Sequence, residues 1–111
     1  MGITKTDLFT TAQNELAQVA KAFAHPARVA IVQHLLQVNA CINGDLVQEL
    51  GLAQATISQH LRELKEAGII QGSIDGSRLN YCINPARWAE IQALFENLFN
   101  QYKCPSPDGC C

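Results

Sequence analysis

Apolar positions near the start of the chain recur at three- and four-residue steps: Phe9, Ala12, Leu16, Val19, Ala20 and Phe23. That spacing puts them on one stripe of a helix running from Thr6 to near His25. Pro26 disfavours helix at the residue before it and suits the first position of a new one, so "AHPARVAIVQHLLQ" predicts a break and a second helix over 26–38. Residues 39–43 form a short connection. In "GDLVQELG", Asp45 stands near a helix start and Gly51 just past its end, which predicts a third helix of about two turns. In "QATISQHLRELKEAG", Ile57, Leu61 and Leu64 share one face at steps of four and three, and Gly68 stops this fourth helix.

The period then changes from helical to alternating. In "IIQGSIDGSRLNYCIN", Leu79, Tyr81 and Ile83 fall on one face and Asp75-Gly76 is a two-residue turn, which predicts a β-hairpin. Pro85 restarts a helix in which Trp88, Ile91, Phe95, Leu98 and Tyr102 repeat at heptad-like steps, with Leu94 and Phe99 widening the stripe. So many large apolar residues are more than one face of one small core usually takes, the alternative being a stripe buried only within the monomer. The chain has no internal repeat, low-complexity block or long linker. The pattern therefore predicts a mainly α domain with a β-hairpin (α+β) over 1–103, followed by a cysteine-rich tail over 104–111.

A chain of 111 residues suits one domain, and 48 % hydrophobic with 16 % charged residues is a globular balance that argues against disorder. No apolar run approaches the roughly 18 residues of a membrane helix, and "MGITKTDLFTT" lacks the layout of a secretory signal, so a cytoplasmic protein with no membrane partner is expected. A net charge of −2 argues neither for nor against nucleic acid, so a DNA role has to rest on a motif. The third and fourth predicted helices, joined through "GLA", supply a helix-turn-helix candidate. Gln54, Thr56, Ser58, Gln59 and Arg62 fall near the start or on the solvent side of the fourth helix, and all can reach base edges or phosphates from a major groove. The same pattern also suits a solvated face in an ordinary helical bundle.

"LVQELGLAQATISQHLRELKEAGII", preceded by "KAFAHPARVAIVQHLL" and followed by "DGSRLNYCIN" as a wing, resembles the arsenic-repressor (ArsR/SmtB) family of winged helix-turn-helix, metal-sensing repressors. The match spans about Lys21 to Ile83. The resemblance implies DNA contacts by Gln54, Thr56, Ser58, Gln59 and Arg62, with Arg78 at the wing tip touching phosphate or the minor groove. It also implies a homodimer through the first and last helices, bound to double-stranded operator DNA with its recognition helices about 34 Å apart. Two departures bear on this. Ala53 and Ala55 stand where the family commonly has serines, so the first loses an N-cap and the second a hydroxyl contact. Arg62, Lys65 and Arg78 are balanced by Glu63, Glu66 and Asp75, so one protomer should bind weakly and pairing is required.

Five cysteines is an odd number, and a reducing cytosol keeps thiols unpaired, so a disulfide framework is not expected. Three of the five lie in "CPSPDGCC": Cys104, Cys110 and Cys111. Three soft thiolates fall one ligand short of the closed tetrahedron zinc prefers, whereas trivalent arsenic or antimony is satisfied by three sulfurs. Asp108-Gly109 supplies a turn, and Pro105 and Pro107 forbid helix and reduce the freedom lost on closing the loop. Alternatives are an inert tail or a redox pair of Cys104 with Cys110 or Cys111. Within the family, inducer sites are repeatedly built from clustered cysteines, so the resemblance implies a repressor released when As(III) or Sb(III) binds the three tail thiolates. Rival readings are a DNA-binding repressor sensing thiol oxidation or Cd(II), Pb(II) or Zn(II), and a thiol-rich metal buffer. No enzyme is expected: no histidine accompanies the thiols as a base, and there is no glycine-rich phosphate loop. The family's other metal sites look lost, because Gly44 stands where a third-helix thiol would sit and His60 is the last histidine. Cys41 and Cys82 are expected to be structural, and His25, His34 and His60 to be junction or packing residues.

Overall fold

A computed structural model describes residues 8–43, 50–74 and 80–105. Helix α1 (Thr11–Phe23) starts later than its apolar stripe, because a capping box fixes its first turn. The Thr10 hydroxyl oxygen accepts from Gln13 N–H at 3.0 Å, and Gln13 Oε1 accepts from Thr10 N–H at 2.9 Å. Helix α2 (Pro26–Val38) has the predicted bounds. His25 caps it, its Nδ1 accepting from Ala27 N–H at 3.0 Å, and Pro26 at the first position lacks only an N–H that would have gone unpaired.

The connection after α2 contains a strand that the sequence pattern does not announce: β1 (Ile42–Asn43). Two residues are too few to carry an alternating signal, and the strand exists only because β3 lies beside it. The predicted third helix falls almost wholly outside the described residues. Helix α3 (Gln54–Glu66) ends as its sequence predicts: Gly68 adopts φ +82°, Ile69 N–H donates to Leu64 O at 3.0 Å and Gly68 N–H to Lys65 O at 2.9 Å. Strands β2 (Ile70–Ser73) and β3 (Asn80–Ile83) pair antiparallel, Ile70 opposite Ile83 and Ser73 opposite Asn80. The Asp75-Gly76 turn and Leu79 lie outside the described residues. The sheet order is β1-β3-β2, so β3 is the central strand.

Helix α4 (Pro85–Asn100) is capped by Asn84, whose Oδ1 accepts from Arg87 N–H at 3.2 Å. It stops before Tyr102, so that residue of the predicted stripe is not helical. The core joins Val19 and Ala22 of α1, Ile31 and Leu35 of α2, Ile57, Leu61 and Leu64 of α3, Tyr81 of β3 and Ile91 of α4. At α1 and α4, Phe23 meets Trp88 edge-to-face with ring centroids 6.3 Å apart. Arg87 bridges three elements, donating to Glu15 of α1 and to the Ala67 carbonyl at the end of α3.

Among the described residues, four helices and the antiparallel β2–β3 pair match the winged helix-turn-helix expected from the sequence. No helix among the described residues is long and apolar enough to cross a membrane.

Candidate nucleic-acid interface and thiol sites

Helix α3 has two faces of opposite character. Ile57, Leu61 and Leu64 are buried, as is His60 between them. Gln54, Thr56, Gln59 and Arg62 are exposed, and Ser58 is half-buried. The burial of the aliphatic face fixes the rotation of the helix, which presents the polar residues outward together. These side chains are ordered by one another: Arg62 donates to Gln59 Oε1 at 3.4 Å, and Gln59 Nε2 donates to Glu63 Oε1 at 3.2 Å. Arg78 lies outside the described residues.

The start of α3 bears out the loss of a cap. Ala53 has the extended backbone of an N-cap, with φ −65° and ψ 147°, but offers no side-chain acceptor. The first turn of α3 therefore lacks the side-chain acceptor that an N-cap serine would supply. Lys65 Nζ donates to the Gly72 carbonyl at 2.7 Å, tying the recognition-helix candidate to β2. Gly72 itself sits tight against the neighbouring strand. With φ +114°, it lies so close to β3 that an added Cβ would fall 2.1 Å from the Asn80 carbonyl oxygen.

Two of the three histidines expected at junctions or in packing, His25 and His60, come together beside Arg28. Arg28 Nε donates to His60 Nδ1 at 3.2 Å, and the His25 and His60 rings have centroids 4.3 Å apart. Burial, then the neighbouring His25 and Arg28, push His60 below its ordinary value of 6.5, with Glu63 opposing them. The Arg28 guanidinium also donates to the Lys21 and Ala22 carbonyls, so one side chain ties the end of α1 to α2 and α3.

The thiols depart from the sequence expectation. Cys41 and Cys82 form a disulfide, with Cα atoms 4.2 Å apart, and Cys104 is disulfide-bonded too. The inference from a reducing compartment fails because it weighs environment alone, whereas the fold places Cys41 directly across from Cys82. Cys104 is exposed, four residues beyond the end of α4, and Cys110 and Cys111 lie outside the described residues. Among the described residues there is no group of three or more side chains suited to a metal ion.

Residues 25–71 match the family model described as "Bacterial regulatory protein, arsR family". The "Biofilm growth-associated repressor" of Xylella fastidiosa (strain Temecula1 / ATCC 700964) is 32 % identical over 91 residues, covering 81 % of this chain and 79 % of that protein. The chain belongs to the arsR family of regulators. The "HTH-type transcriptional repressor SmtB" of Mycobacterium tuberculosis (strain CDC 1551 / Oshkosh) is 38 % identical over 74 residues, covering 67 % of this chain and 54 % of that protein. A solved structure titled the transcriptional repressor BigR from Xylella fastidiosa superposes with a TM-score of 0.56 at 28 % identity, covering 90 % of this chain and 98 % of that one. As an arsR-family member, this chain is a transcriptional repressor of the helix-turn-helix type.

Proposed function

We propose that this chain binds operator DNA as a homodimer and releases it when As(III) or Sb(III) is captured by the thiolates of Cys104, Cys110 and Cys111. One observation carries the DNA half: α3 presents Gln54, Thr56, Gln59 and Arg62 together on its exposed face, with the β2–β3 wing tied alongside through Lys65 and Gly72. A dimer is supported by large apolar side chains left exposed on and beside the terminal helices, among them Phe9, Leu98, Phe99 and Tyr102.

The inducer half rests on donor chemistry. Three thiolates suit a three-coordinate soft ion better than zinc, and "CPSPDGCC" can turn them towards one point. Capture requires the reduced tail, since Cys104 is disulfide-bonded in this structure. A thousand-fold loss of operator affinity corresponds to about 4 kcal/mol of coupling between the two sites. The bonded state of Cys104 favours a second reading, in which oxidation of the tail rather than a metalloid supplies the signal.

The decisive experiment takes a duplex selected by the protein from a randomised pool and titrates arsenite, and separately peroxide, into the complex. Arsenite should release the reduced wild type but not the Cys104→Ser variant. Release by peroxide alone would establish the second reading, and absence of any selected duplex would refute the DNA role.

A further inference from the structure

We infer that Cys41 and Cys82 form a second, independent thiol site: a reversible dithiol–disulfide pair that responds to hydroperoxides and fastens the DNA-reading unit in its binding geometry. Strand β1 pairs with β3 at two positions, Ile42 opposite Tyr81 and Asn43 opposite Asn80. Extending that register by one step sets Cys41 opposite Cys82, so the disulfide is a third, covalent rung on a ladder of two.

The position of the bond in the chain gives it its consequence. The covalent loop from Cys41 to Cys82 encloses α3, β2 and the wing, and with them Gln54, Thr56, Ser58, Gln59, Arg62 and Arg78. Closing it restrains how that segment moves against α2 and α4, and a segment restrained in its bound arrangement loses less freedom on meeting DNA.

Both sulfurs can be reached. Cys41 is exposed, Cys82 is half-buried, and both line a cleft of about 350 Å3 whose walls include Leu35, Leu36 and Trp88. The Cys41 thiolate attacks the peroxide O–O bond, giving a sulfenic acid and one molecule of water or alcohol. The Cys82 thiol then attacks the Cys41 sulfur, forming S–S and expelling the sulfenic oxygen as water. Two thiols and one hydroperoxide thus become one disulfide, and a small dithiol restores the thiols by exchange.

The inference uses the operator binding proposed above but not the tail. The test therefore uses the full-length variant with Cys104, Cys110 and Cys111 all changed to Ser, reduced with dithiothreitol and then treated with hydrogen peroxide. The expected product has lost two hydrogens, yields a peptide linking Cys41 to Cys82, and reverts on reduction. Its affinity for the selected duplex should be about ten-fold higher oxidised than reduced, a difference of about 1.4 kcal/mol. Adding Cys41→Ser should abolish both responses while leaving the far-ultraviolet circular dichroism unchanged. Oxidation without a Cys41–Cys82 link would overturn the site. A link that leaves affinity equal in the two states, or lowers it, would overturn the fastening role. Failure of both states to bind any duplex would instead refute the operator reading and this coupling with it, while the mass change would still report on the pair.

Discussion

Arg28 Nε donates to His60 Nδ1 at 3.2 Å, a contact that needs an unprotonated nitrogen on the imidazole. The His25 ring lies tilted against it and Glu63 is the opposing charge, while burial is the largest influence in keeping His60 neutral. The folded value thus lies below that of the unfolded chain. As pH falls through about 6.5, the unfolded state takes up a proton that the folded state withholds, so stability declines and then levels off below the folded value. Denaturant midpoints measured from pH 8 to 5 should show this decline, and His60→Gln should flatten it.

Gly72 is the least replaceable glycine among the described residues. Gly72→Ala forces a Cβ against the Asn80 carbonyl and strains a backbone that L-residues rarely adopt. A loss of about 2 kcal/mol or more is expected in urea unfolding. Because the Gly72 carbonyl also holds Lys65, the variant should bind operator more weakly even where it remains folded.

Ala53 is the reverse case. Its backbone already has N-cap geometry, so Ala53→Ser should add a side-chain acceptor and raise stability by roughly 0.5–1 kcal/mol. Thermal unfolding checks this directly. An unchanged melting temperature would show that the first-turn N–H groups are already satisfied.

Gln59 and Arg62 touch each other but should fail differently on DNA. Gln59→Ala is expected to cost about 1–3 kcal/mol and relax sequence preference at one position. Arg62→Ala should weaken binding to all sequences and lower the salt slope by about 1. Filter binding at several salt concentrations, on selected and scrambled duplexes, separates the two.

The α2 bounds, the Gly68 stop and the buried Ile57, Leu61 and Leu64 were all legible in the sequence, since each depends on neighbours three or four residues away. So was the exposed polar face of α3, which follows once the opposite stripe is buried. Strand β1, the Arg28–His60 contact and the Glu15–Arg87 bridge were not legible. They join residues from 32 to 72 positions apart, and local periodicity carries no information about such pairs.

The sequence by itself determined the four described helices, the β2–β3 pairing, their order and the cluster of thiols in the tail, because helix caps, breakers and apolar periods act over a few residues. The tertiary structure alone decided that Cys41 faces Cys82. Register across a sheet is settled by which strands the core brings together, and two residues of β1 hold too little pattern to announce their partner.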